Sequence, residues 1–228
     1  MGPPVGPTGA ALSCTGEHGA DAAEAPKFRV AASTTWSATR LSFGGDDSFD
    51  ADSRRRAVAA SFEWRALDDL TVTAGAGAAI DGRLVVRGVR SDLGAGPLGT
   101  VGVAYRFLAG EGWVPFILGG ATFAASTVGT HTRFSDGRRE DARLTALDFR
   151  GSVTVGEVFG DAFVPYVVAR GFGGPIFWTR GDADVVGTDK FKYQFGGGLL
   201  ATARYFDAYF ELVPLGERAA VFGGAVTF

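Results

Sequence analysis

Few residues in this chain of 228 could do chemistry, and their spacing narrows the choice further. There are two histidines, His18 and His131, and one cysteine, Cys14. That inventory does not build a zinc or iron centre, which takes three or four such ligands. His131 is followed by Asp136 and Asp141, and a histidine beside a carboxylate can act as a general base. No glycine-rich loop leads into a helical pattern, so a phosphate cradle of that kind is excluded. Two groups of acids, Asp46, Asp47, Asp50 and Asp52, then Asp182, Asp184 and Asp189, could face a calcium ion. They lack the glycine turn of an EF-hand loop and read as solvated loops. Arginine offers the remaining chemistry. Arg54, Arg55 and Arg56 form one cluster, and Arg138, Arg139 and Arg143 another. Planar guanidinium groups suit phosphates.

The elements that would position these residues are strands. The formal net charge is −3, which does not suggest a nucleic-acid partner. No apolar run reaches the 18 or more residues of a membrane-spanning helix. Glycine is abundant, 35 residues, and sits inside apolar stretches such as Phe195-Gly196-Gly197-Gly198-Leu199. Strand glycines mark tight bends and close backbone approach. Residues 1–26 hold Pro3, Pro4, Pro7 and Pro26 with almost no large apolar side chains, and are expected to be a disordered leader. Cys14 follows Ala-Ala-Leu-Ser, a faint lipobox without a basic segment before it, and no export signal is evident.

From Lys27 onward, aromatic and β-branched stretches broken by Gly and Asp predict ten strands. They fall near 27–43, 54–66, 69–81, 98–108, 112–126, 142–157, 162–175, 190–206, 207–215 and 218–228. Their connections alternate between short turns, as at Leu67-Asp68-Asp69, and long ones at 44–53, 82–97, 127–141 and 176–189. The same tripeptide type returns after three short turns: Val114-Pro115-Phe116, Val164-Pro165-Tyr166 and Val213-Pro214-Leu215. Large aromatics bracket that rim, with a looser set toward the other. The final segment puts Ala220, Phe222, Gly224, Val226 and Phe228 on one apolar face.

These features together resemble the small bacterial outer-membrane β-barrel superfamily, the group with the OmpA-like and OmpW-like barrels, over about residues 27–228. The resemblance implies an all-β fold, a closed antiparallel transmembrane barrel of ten strands with eight as the fallback. It implies location in the outer membrane and Phe222, Val226 and Phe228 as a signal for the barrel-assembly machinery. It also implies contact with lipid and lipopolysaccharide, for which Arg54, Arg55, Arg56, Arg138 and Arg139 are the candidates, and it leaves room for other envelope proteins as partners. No cofactor is expected.

Alternation along the strands predicts which side faces where. Phe62, Trp64, Tyr105 and Phe195 share faces with other apolar residues, and polar residues occupy the opposite faces. The expected interior ion-pair network is Glu63, Asp148 and Glu211 with Arg65, Arg106, Arg150, Lys192 and Arg204, in a plugged or narrow lumen. The fifth and seventh runs do not split cleanly. Three functions follow in order: a non-enzymatic anchoring, adhesive or envelope-assembly subunit; a narrow pore for small or apolar solutes; and an outer-rim hydrolase. For the last, His131 with Asp136 or Asp141 resembles half of the site of omptin proteases, while Arg133 stands where a lipid A deacylase of the His-x-Ser type needs serine. A soluble β-sandwich is the alternative from a different class.

Overall fold

The computed structural model describes residues 27–44, 48–110, 114–134, 136–160, 162–180 and 183–228. The leader 1–26, with Cys14 and His18, and the acids Asp46, Asp47 and Asp182 lie outside the described residues. All thirteen elements are strands: β1 (Phe28–Phe43), β2 (Phe49–Leu67), β3 (Leu70–Val86), β4 (Val89–Leu93), β5 (Gly96–Leu108), β6 (Phe116–Arg133), β7 (Arg139–Gly156), β8 (Phe163–Gly173), β9 (Ile176–Arg180), β10 (Ala183–Asp189), β11 (Tyr193–Ala203), β12 (Phe206–Gly216) and β13 (Arg218–Thr227). They form one antiparallel sheet in which β1 pairs with both β2 and β13. The first and last strands are therefore neighbours. Their ends are tied by reciprocal backbone bonds between Phe28 and Phe228, at 3.1 and 2.9 Å.

Thirteen strands replace the ten expected because the long connections are themselves strands. The segment 82–97 is not a loop: β3 runs on to Val86, turns at Arg87-Gly88 with φ of 49° and 84°, and returns as β4. Likewise 127–141 is a continuous β6–β7 ladder up to the Arg133–Arg139 pair, and 176–189 is the β9–β10 hairpin. These segments alternate charged and apolar residues. Arg90, Asp92, His131, Arg139, Asp141 and Asp184 face out, whereas Asp189, expected in a solvated loop, is buried and accepts from Thr39 at 3.3 Å. Leu41, Phe43, Leu84, Leu93, Leu144, Ile176 and Trp178 pack together on the buried side.

The sheet thus has two storeys with opposite patterning. In the upper one, apolar side chains are buried and charges are exposed, as in a water-soluble protein. In the lower one, aromatics and valines face outward. Phe62, Trp64, Tyr105 and Phe195 are 45%, 46%, 46% and 50% exposed, and Phe107 and Val167 more so. The fifth and seventh runs are greasy on both faces because this storey also has a buried apolar layer. Phe116, Leu118, Val164, Tyr166, Val168, Leu200, Tyr209 and Val221 fill it. Val167 then serves the outside and Val164, Tyr166 and Val168 the inside.

β1 changes partner where the storeys meet. It pairs with β13 from Arg29 to Ala38, and with β10 from Leu41 to Phe43. The reason is the short β12–β13 turn at Gly216, with φ of 82°, which stops that hairpin early. Glycines let the buried tyrosines lie flat against the sheet. A Cβ on Gly223 would run into the Tyr209 ring and the Ala32 carbonyl oxygen, and one on Gly198 into Tyr166 and the Phe210 carbonyl oxygen. Overpacking of this kind costs about 1–3 kcal/mol. We expect Gly223→Ala to lower the urea midpoint of the refolded protein accordingly. An unchanged midpoint would place the Tyr209 ring elsewhere.

Candidate functional site

The charged groups on the buried face of the sheet are held by the backbone alternation that sends their neighbours outward. Arg29 and Glu63 are cross-strand partners on β1 and β2. Arg29 donates from Nη1 to Glu63 Oε1 at 2.8 Å and from Nε to Asp207 Oδ2 at 3.1 Å. Higher up, Arg170 forks onto Glu211 at 2.7 and 2.8 Å, and the Tyr166 hydroxyl donates to the same carboxylate at 3.2 Å. Next to it, Arg150 pairs with Asp148 and with Glu217, the latter at 2.9 Å, and donates to Gln194 Oε1 at 3.2 Å. The Phe172 ring covers the Arg150 guanidinium at 4.5 Å. Gln194 also donates to Glu217 at 3.0 Å. Arg55 completes the layer, donating to Ser126 at 3.4 Å. Buried charges persist when paired and hydrogen-bonded, and most of these groups are, although Arg29 Nη2 and Asp148 Oδ1 have no hydrogen-bond partner among the described residues.

Of the expected network, Glu63, Asp148, Arg150 and Glu211 are buried together in these layers. Arg65 and Arg106 sit half-buried at the short-turn rim, where Arg106 holds the β2–β3 turn through Asp69 at 2.9 Å and the Asp68 carbonyl at 3.1 Å. Two assignments are corrected. Lys192 is exposed, because the strand is broken between β10 and β11 and alternation does not carry across the break. Arg204 is exposed too, in the β11–β12 turn with φ of 58°, its guanidinium 5.1 Å from the Tyr205 ring centre. The network also contains Arg29, Arg170, Gln194, Asp207 and Glu217. Arg29 faces Glu63 because β2 begins at Phe49, inside the 44–53 segment expected to be a loop, so the expected runs did not set this register. Glu217 sits in a turn and carried no signal.

The arginine clusters also divide. Arg54 and Arg56 are exposed, but Arg55 is buried, which removes it from any contact with surrounding lipid. Three consecutive strand residues cannot share a face. Arg138 pairs with Asp136 at 2.6 Å and stacks on Phe134, and Arg139 pairs across the ladder with Arg133. This hairpin tip stands about ten residues, or about 33 Å along the strand, beyond the outward Phe123–Phe149 pair. The proximity of Arg138 holds the Asp136 carboxyl below the usual carboxylate range.

His131 and Asp141 face each other on β6 and β7, with Nδ1 to Oδ1 at 2.7 Å. Asp92 lies opposite His131 on the other side, engaged by Arg90 at 2.9 Å. Asp136 is not part of this group. The imidazole lies against the exposed side of the sheet above Gly94 and Gly129, largely in solvent. No group of three or more metal-ligating side chains occurs among the described residues.

Outward aromatics and buried ion pairs in an antiparallel sheet with neighbouring ends define the class, an outer-membrane β-barrel fold, as the resemblance in the sequence implied. Solved structures agree. The outer membrane protease OmpT from Escherichia coli superposes with a TM-score of 0.55 at 9% identity, over 89% of this chain and 97% of that one. The translocator domain of the autotransporter NalP from Neisseria meningitidis gives 0.51 at 9% identity, over 93% and 90%. At such identities the likeness is one of fold. No protein-family model and no curated protein sequence matches the chain.

Proposed function

We propose that this protein is an integral component of the bacterial outer membrane, with a structural, adhesive or envelope-assembly role and no catalysis. The observation that carries this reading is the lower storey's apolar exposed face between two aromatic rims. On β1 it runs from Phe28 to Trp36. Eight residues there cover about 26 Å along the strand, or about 20 Å once tilted by about 40°, near the roughly 25 Å of an outer-membrane apolar band.

Closure is part of the proposal and rests on the pairings. In the lower storey β1, β2, β3, β5, β6, β7, β8, β11, β12 and β13 each have two neighbours, a ring of ten. In the upper storey β4, β9 and β10 take over, and β12 and β13 drop out, leaving eight. Closure removes the unpaired edges that lipid cannot solvate. Insertion by the barrel-assembly machinery, through the outward face of β13 with Phe222, Val226 and Phe228, belongs to the same reading.

The interior favours a sealed barrel over a pore. Two apolar clusters bracket the ion-pair layer, and Leu41, Phe43, Leu84, Leu144 and Ile176 are at most 1% exposed in the upper one. In planar bilayers the purified protein should give no unitary conductance steps. Reproducible steps that disappear when Leu84 and Leu144 are enlarged to tryptophan would favour the channel reading. The hydrolase reading rests on His131–Asp141 alone, an exposed pair with one side open to solvent. His131→Ala should leave any peptide- or lipid A-cleaving activity of the preparation unchanged; abolition of such activity would overturn the non-enzymatic assignment.

A further inference from the structure

We infer that the exposed face of β13, β1, β2 and β3 carries a binding site for a doubly phosphorylated glycolipid of the outer leaflet. This inference rests on the outer-membrane reading above. Its head-group half is a row of arginines. Arg218 lies opposite Ala38, Ala38 opposite Arg54, and Arg54 opposite Arg83, so three guanidinium groups stand in line across four adjacent strands. Neighbouring strands are about 4.8 Å apart, so the row spans about 15 Å. The arginines around it are neutralised: Arg40 by Asp52 at 2.9 Å, Arg56 by Asp81, and Arg90 by Asp92. Arg54, Arg83 and Arg218 form no ion pair among the described residues. Like charges directly opposite each other on a sheet are destabilising. A row of this kind persists at a cost that an anion removes. An open cavity of about 1110 Å³ is lined by the row and also by the inward-facing Thr39, Ser53 and Arg55.

The second half is apolar and lies directly below on the same four strands. Ala32, Thr34 and Ala60 floor a groove of about 650 Å³, with Val58 and Phe222 at its sides. Trp36 stands between the cavity and the groove, packed edge-on against Phe222 at 5.8 Å between ring centres. Tryptophan favours this boundary depth. From the arginine row to Val58 is four residues, about 13 Å along the strand. That is the arrangement a lipid requires, with phosphates above the boundary and acyl chains beneath it. A free phosphate would use the upper half alone. Guanidinium groups bind phosphate bidentately, and a row of three unpaired ones suits two phosphate groups rather than one.

The test uses the full chain in detergent, examined by native mass spectrometry with four probes: diphosphoryl lipid A, its dephosphorylated form, phosphatidylglycerol and inorganic phosphate. Diphosphoryl lipid A should stay bound in preference to the other two lipids. Its retention should fall by at least about tenfold in R54Q/R83Q/R218Q, the loss of several charge-assisted contacts. It should also fall in Ala32→Trp, which fills the lower groove and leaves the arginines intact. Excess inorganic phosphate should not displace it. Unchanged retention by the triple variant, or equal retention of the dephosphorylated lipid, overturns the site. Equal retention of phosphatidylglycerol overturns the assignment to a doubly phosphorylated lipid, and displacement by inorganic phosphate reduces the site to one for soluble anions. Heat-modifiable electrophoretic mobility separates these failures from a failure of the fold. Variants that keep it retain the barrel and lose only the lipid, whereas a wild-type chain that never shows it contradicts the barrel itself.

Discussion

Replacing Glu211 with leucine should destabilise the folded protein by about 3–5 kcal/mol, the usual result of stripping one partner from a buried ion pair. Glu211 is fully buried and takes both prongs of the Arg170 fork as well as the Tyr166 hydroxyl. Its removal takes away the carboxylate under the Arg170 fork and the acceptor of the Tyr166 phenol, in a layer shielded from water above and below by apolar side chains. Removing both charges, as Glu211→Leu with Arg170→Met, should recover most of the loss, because an apolar pair of similar volume is often neutral or better. Urea unfolding of the protein refolded in detergent micelles reads both values. A loss under about 1 kcal/mol for the single change would indicate that water reaches Arg170, and a conducting interior would then regain ground.

The second large effect separates the two storeys. Val103→Arg places a charge midway up the lipid-facing side of β5, where such a substitution costs about 2–4 kcal/mol in an outer-membrane barrel. Val186→Arg makes the same chemical change on the exposed face of β10, in the upper storey, and should cost no more than about 0.5 kcal/mol. The two valines are similarly exposed, at 48% and 49%, so only the medium around them differs. Refolding into phospholipid vesicles followed by denaturant titration gives both numbers. Equal small effects would mean that both faces meet water, as the soluble β-sandwich alternative requires.

Much of the lower storey was legible because lipid imposes a simple rule on the chain. Phe62 and Trp64 alternate with Glu63, and Phe149 with Asp148 and Arg150, so parity alone separated the two sides. The echo of Val-Pro after three short turns marked one rim. The upper storey was misjudged because its rule is the opposite one. Arg83-Leu84, Asp92-Leu93 and Arg143-Leu144 look like polar loops when the expected pattern is greasy-outward. They are strands whose leucines face in and whose charges face water. Parity also fails at irregular points, which is why Lys192 and Arg204 were assigned to the interior and Glu217 was not. Arg55 was grouped with Arg54 and Arg56 by proximity in sequence, although alternation alone sets it on the other face. The row formed by Arg54, Arg83 and Arg218 could not be read at all from one sequence. It depends on the register of four strands and on the early end of the β12–β13 hairpin.

The central claim is that hydrocarbon surrounds the lower storey and water the upper. Site-directed spin labelling in phospholipid vesicles tests it most directly, with Cys14 replaced by serine and single cysteines at positions 58, 101, 153 and 222, then at 52, 90 and 186. At the first four, collisions with oxygen should exceed those with a water-soluble nickel chelate; at the last three the order should reverse. Free access of the nickel chelate to 101 and 222 would contradict the account.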